Sequence, residues 1–247
     1  SVPVSENTLG ITPDKPLRIV HLFPDLLNLY GDGGNVKVLA KRCEWRGIPA
    51  QVVSVRYGES VDLSTADIVF LGGGPDREQK LASEVLHNMK ESLGEYIENN
   101  GVLLAICGGY QILGTRWLLG DEVVEGLSLT DIETLRPGKG FDRLIDNIML
   151  SSSLASMPVV GYENHAGRTH SSVGSGNNDS SKEDGVLYKN CIGTYLHGPL
   201  LGKNPEIADF LIARALENRT VQSQDENVFE SLSSLDDSVE KAANEYM

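Results

Sequence analysis

GVLLAICGGYQILG, residues 101 to 114, decides the fold. An apolar run, GVLLAI, leads into Cys107, and the pair Gly108-Gly109 separates it from YQILGTRW, which starts like a helix. A run this short, apolar throughout and closed by glycines, reads as a strand buried on both faces of a parallel sheet. Three earlier stretches repeat the pattern: LRIVHLF (17–23), QVVSV (51–55) and DIVFLGGG (67–74). Between them, VKVLAKRCEWRGI (36–48) carries apolar residues at steps of three and four and stops at Gly47, as a helix does. REQKLASEVLHNMKESLGEYIENNG (77–101) reads as one long amphipathic helix closed by Asn-Asn-Gly.

Strands alternating with helices at this spacing predict βαβ units, hence an α/β fold with an open, mostly parallel sheet flanked by helices. In such sheets ligands bind at the carboxyl ends of the strands. The glycine-rich turns at 31–34, 72–74 and 108–109 all follow strands, so they should share that edge. From about residue 120 to 200 the pattern changes to short alternating runs, LSLTDIETL, RLIDNIML, MPVVGYENH, VLYKN and IGTYLH, which predict a β-rich C-terminal half. HSSVGSGNNDSSKEDG (170–185) reads as an exposed loop, and NPEIADFLIARALEN (204–218) opens a helix with Asn then Pro.

Residues 17–217 therefore form the expected domain, with 1–16 a loose lead-in and 218–247 an acidic extension. The last 28 residues hold seven Asp or Glu against one Lys. Val228, Leu232, Leu235, Val239, Ala242 and Tyr246 recur there at steps of three and four, predicting an amphipathic helix. It either docks on its own domain or is presented to a partner.

The 247 residues, 40% hydrophobic, suffice for one such core, and the formal charge of −14 argues against nucleic-acid binding. Three cysteines without a C-x-x-C pair suggest neither a disulfide framework nor a structural zinc site. No apolar run approaches the length of a spanning helix, and no signal peptide is visible, so a reducing cytoplasm with no membrane insertion is expected.

Cys107 has two readings. It is a small hydrophobe in the core, or a thiolate at a strand-to-helix turn, where glycines tolerate strained dihedrals and the helix start favours negative charge. A thiolate nucleophile needs a histidine as base and leaving-group acid. Of the five histidines, His87 lies mid-helix and His21 inside a strand. His197, at the strand end IGTYLHGPL, is favoured, with His165 in GYENHAGRTH as the rival. Acyl transfer also needs oxyanion donors, which GGGPDRE (72–78) can offer from backbone N–H groups. The same glycines could simply turn the chain or cradle a phosphate, although no G-x-x-x-x-G-K-[ST] occurs.

LGGGPDRE, AICGGYQ, GYENHAGRTH and GTYLHGPL, in that order and spacing, resemble the class I (triad) glutamine amidotransferases of the cobyric-acid-synthase-like branch. HLFPDLLNLYGDGGN and GYENHAGRTH are most similar to the glutaminase subunits of lipid II isoglutaminyl synthases. The resemblance covers roughly residues 17 to 217 and implies a flavodoxin-like sheet. It implies Cys107 as nucleophile and His197 as general acid/base, with Gly73, Gly74 and Gly108 as the oxyanion hole. Gln111 and Arg143 would bind L-glutamine, an arginine fork suiting its carboxylate. It further implies no cofactor or metal in this chain. Ammonia would pass to an ATP-dependent Mur-ligase-like subunit in a heterodimer, which amidates the D-glutamate α-carboxylate of lipid II.

The acid expected two residues after the histidine is missing, because His197-Gly198-Pro199 offers no carboxylate. Either Glu163 or another acid orients the imidazole, or the site works as a dyad, or the partner supplies the acid. The alternatives are a cobyric-acid-type or cobyrinate-type amidotransferase subunit, a stand-alone γ-glutamyl hydrolase, and a non-catalytic binding subunit.

Overall fold

A computed structural model describes residues 11–28, 32–114, 116–119, 122–129, 132–135, 162–163, 168–171, 185–194, 196–197 and 199–221. Each of the four predicted strands forms. They are β1 (Leu17–Leu22), β2 (Ala50–Val55), β3 (Ile68–Leu71) and β4 (Val102–Ile106), all mutually parallel. Every residue of β3 and β4 is buried, as expected for strands covered on both faces. β2 is an edge strand and is mostly exposed.

Helix α1 (Gly33–Trp45) links β1 to β2 and ends where expected, with Gly47 at φ +67° just beyond it. The long helix expected at 77–101 is two helices, α2 (Asp76–Asn88) and α3 (Lys90–Glu98). Met89, at φ −101° and ψ 4°, breaks the ladder between them, and its carbonyl starts α3 by accepting the N–H of Leu93. A continuous apolar stripe does not reveal such a change of axis. Helix α4 (Gly108–Leu113) is short, and RWLL does not extend it as the helical reading of YQILGTRW expects. It forms β5 (Arg116–Leu119), paired with β6 (Glu122–Glu125). Gly114, extended at ψ −170°, ends the helix and frees the β-preferring Trp and Leu residues.

The later strands are β7 (Ile132–Leu135), β8 (Tyr162–Glu163), β9 (Arg168–Ser171), β10 (Gly185–Tyr188), β11 (Cys191–Thr194) and β12 (Leu196–His197). Two of them join the main sheet, whose order is β10-β11-β4-β3-β1-β2 with only β10 antiparallel. β6-β5-β7-β9 make a separate small sheet, and β12 pairs with β8. Of the loop expected at 170–185, His170 and Ser171 belong to β9 and Gly185 to β10, while residues 172–184, RLIDNIML, MPVVG and the C-terminal apolar stripe lie outside the described residues.

The strand order with right-handed crossovers sends α1 to one face of the sheet and α2 and α3 to the other. After α5 (Leu200–Lys203), α6 (Pro205–Val221) packs beside α1 and over β3 and β4. Arg42 of α1 and Arg46 just past its end bind Asp209 of α6, each with a contact of 2.9 Å. The far end of α6 is fastened below the sheet, where the Arg219 fork grips both carboxylate oxygens of Asp67 at 2.6 and 2.7 Å. Among the described residues no helix is long and apolar enough to cross a membrane.

Candidate active site

The carboxyl ends of β3, β4 and β11 converge at one place, and Cys107 stands at its centre. Its backbone has φ 51° and ψ −113°, a conformation that costs an L-residue roughly 1–3 kcal/mol and persists only where its surroundings impose it. Two hydrogen bonds do so. The Cys107 N–H donates to Thr194 of β11 at 2.7 Å, and its carbonyl accepts Gln111 N–H at 3.0 Å, starting α4. Packing completes the constraint. A Cβ on Gly109 would lie 2.5 Å from the Leu71 carbonyl oxygen and 2.8 Å from that of Gly72. The chain can therefore turn directly from strand into helix only with glycine there. Cys107 is 8% exposed, within reach of a small substrate.

The other two cysteines differ in kind. Burial pushes the thiols of Cys43 and Cys191 up to about 12, which keeps both protonated. Among the histidines, His21 packs edge-on against Phe70, and burial lowers its pKa to about 4, so it is neutral at physiological pH. His87 is exposed and lies 3.1 Å from the Glu125 carbonyl oxygen.

The loop Gly72–Gly74 lies against the cysteine. A Cβ on Gly73 would fall 3.0 Å from Cys107 Cβ, 3.0 Å from Gly108 N and 3.5 Å from Sγ. The expected oxyanion donors divide here. Gly73 N–H already donates to Asp32 Oδ2 at 2.9 Å, so its amide is committed away from the thiol. No acceptor among the described residues engages the N–H of Gly74 or of Gly108.

Gln111, expected to line the substrate pocket, accepts a hydrogen bond through Oε1 from Gln79 Nε2 at 2.8 Å. Gln79, buried in α2, also rests on Gly108, where any Cβ would collide with its Oε1. In the sequence Gln79 belongs to the polar run REQK and reads as a solvated face. Asp32 likewise reads as a turn residue. Only the fold reveals that both point inward.

His197 lies in β12, three residues beyond the Thr194 that holds the Cys107 N–H, so the chain leads from the Cys107 turn to His197 within one short step. β8 runs antiparallel beside it, with Tyr162 directly across from His197 and Glu163 across from Leu196. Glu163, one of the candidates for the acid that orients His197, is thus one register position away from it. Arg143 and His165 lie outside the described residues. No group of three His, Cys, Asp or Glu among the described residues could hold a metal ion.

Residues 18–205 match the CobB/CobQ-like glutamine amidotransferase domain family. The subunit GatD of lipid II isoglutaminyl synthase (glutamine-hydrolyzing) from Staphylococcus aureus (strain N315) is 42% identical over 83% of this chain and 86% of its own length. The GatD subunit from Streptococcus pneumoniae (strain ATCC BAA-255 / R6) is 37% identical over 82% of both chains. A cobyric acid synthase from Listeria innocua serovar 6a is 33% identical, over 59% of this chain and 31% of that protein.

Proposed function

From the premise that the chain belongs to the CobB/CobQ-like glutamine amidotransferase family, we propose that it is the glutaminase subunit of an enzyme that amidates lipid II. Cys107 attacks the side-chain amide carbon of L-glutamine as its thiolate. The carbonyl oxygen becomes an oxyanion that accepts the N–H groups of Gly74 and Gly108, two amides that no acceptor among the described residues engages. The tetrahedral intermediate collapses, the C–N bond breaks, and ammonia departs with a proton from His197. Water then gives its proton to His197 and attacks the γ-glutamyl thioester, releasing glutamate and restoring the thiolate. Gln111 lines the pocket and Arg143 holds the substrate carboxylate.

The observation that carries this reading is the strained Cys107 turn, with a glycine loop against its sulfur and its N–H bonded to the strand that leads to His197. A core cysteine needs none of these features, and Cys43 and Cys191 have none of them.

The released ammonia passes to an ATP-dependent Mur-ligase-like partner in the cytoplasm, which amidates the D-glutamate α-carboxylate of the lipid II stem. The Staphylococcus aureus and Streptococcus pneumoniae relatives are each named as a glutamine-hydrolysing subunit of lipid II isoglutaminyl synthase, which supports both the acceptor and the partner. Their 86% and 82% coverage favours this over cobyric acid synthase, which is matched over only 31% of its length. The test is co-purification with such a ligase, followed by amidation of lipid II with glutamine or with free ammonia. Product from ammonia but not from glutamine would contradict the glutaminase assignment. No product from either would contradict the acceptor.

A further inference from the structure

One buried carboxylate has no part in the chemistry above. Asp32 precedes α1, is fully buried, and does not cap its own helix. It reaches instead across the carboxyl edge of the sheet to accept the Gly73 N–H at 2.9 Å. A side chain on Gly72 would meet Asp32 Cβ and Oδ2 at 3.2 Å. The same turn also reaches the other way. Asn35, fully buried, accepts Leu201 N–H through Oδ1 at 2.9 Å. Gly34 lies so close to Pro199 that a Cβ there would fall 2.9 Å from the ring Cγ. Asn28 Oδ1 secures the turn itself by accepting Gly33 N–H at 2.7 Å. One helical turn thus holds two separate segments, the glycine loop against Cys107 and the chain that leaves His197 two residues before Pro199.

The location explains why a brace is needed. β1 and β3 are neighbours whose following helices leave to opposite faces, so a crevice opens between their carboxyl ends. A loop of three glycines has little conformational preference of its own, so its shape comes from what grips it. Asp32 supplies its one side-chain hydrogen bond among the described residues, and bonds to a carboxylate are the stronger kind.

We propose that the first turn of α1, Asp32 to Asn35, is a brace that sets the two halves of the glutaminase site against each other. Asp32 fixes the glycine loop, while Gly34 and Asn35 fix the chain leaving His197. Asp32 and Asn35 are positioning residues that do not touch glutamine. The inference rests on the roles assigned above to Cys107 and His197.

The test compares Asp32→Ala, Asp32→Asn and Gly34→Ala in the full chain, with Cys107→Ala as control. Glutamine-hydrolysis kinetics and thermal unfolding are measured on each, and the rate of Cys107 alkylation by iodoacetamide on those that keep the cysteine. Asp32→Ala lowers kcat at least about tenfold with KM nearly unchanged, as expected when catalytic groups are misplaced rather than removed. Asp32→Asn recovers most of that loss, because its amide oxygen can still accept the Gly73 N–H. An Asn variant as impaired as Ala would mean that the charge matters and not the bond, and would overturn the brace.

If Asp32→Ala does not fold, Gly34→Ala decides from the other arm. Alanine normally favours a helix over glycine, so a folded Gly34→Ala protein with iodoacetamide reactivity intact and kcat reduced supports the brace. Wild-type kcat in that variant overturns it. Wild-type ammonia release by Cys107→Ala would instead overturn the underlying assignment.

Discussion

At the scale of the residue, the strained cysteine and the glycines around it make separable predictions. Gly109→Ala places a Cβ against two carbonyl oxygens at the end of β3, where nothing flexible can yield. It should cost about 3 kcal/mol in urea unfolding, or prevent folding. Gly47→Ala has a positive φ of +67° but open space around it, so it should cost only about 1 kcal/mol of backbone strain. Equal costs for the two would mean that close packing does not define the turn. His21 makes a pH prediction. The unfolded chain binds its proton near the usual 6.5, whereas the folded chain binds it only near 4. As pH falls through this window the unfolded state takes up the proton first. The contribution is therefore flat above about 6.5 and becomes destabilising down to about 4. Replacing His21 with Asn should make the loss of stability between pH 7 and pH 4.5 smaller by about 2 kcal/mol. An unchanged loss would mean that His21 is not desolvated as described.

At the scale of the element, the sequence exposes what periodicity and turn chemistry encode and hides what long-range contacts decide. β1, β3 and β4 were legible because strands buried on both faces must be apolar throughout, and α1 because Gly47 ends it. The break at Met89 was not legible, since the apolar stripe runs through it, nor was the switch from α4 to β5, since YQILGTRW carries helical spacing. The candidate site divides in the same way. Cys107 and the glycine turns announce themselves through local geometry. Asp32 and Gln79 do not, because a polar residue in a turn or on a helix looks solvated until the fold shows what it faces. Long-range ion pairs are equally silent. Asp209 joins α6 to Arg42, which is 1% exposed, so Asp209→Ala leaves a buried guanidinium without this partner. A loss of about 3 kcal/mol is expected in chemical denaturation, with Cys107 alkylation unchanged below the transition. A change in alkylation without loss of stability would place α6 in the site and not in the scaffold.

At the scale of the whole molecule, the same edge of the sheet gathers the Cys107 turn and the glycine loop, with the first turn of α1 between that loop and the chain that follows His197. The acid expected after His197 is replaced by Gly198-Pro199, and Glu163 stands across from Leu196 in the strand register. Glu163→Gln therefore distinguishes the remaining arrangements. If Glu163 orients the histidine, hydrolysis should fall at least about a hundredfold with or without the proposed ligase partner. Near-normal hydrolysis in this variant leaves another acid of this chain, a dyad or a partner-supplied acid, and a large stimulation of the wild-type chain by the proposed ligase partner selects the last. The central claim is that Cys107 is the nucleophile of a glutaminase, and the measurement that tests it most directly is ammonia release from L-glutamine by Cys107→Ala beside the wild-type chain, both with the proposed ligase partner present. The account predicts a loss of at least about a thousandfold with folding preserved; undiminished ammonia release by the folded variant would contradict it.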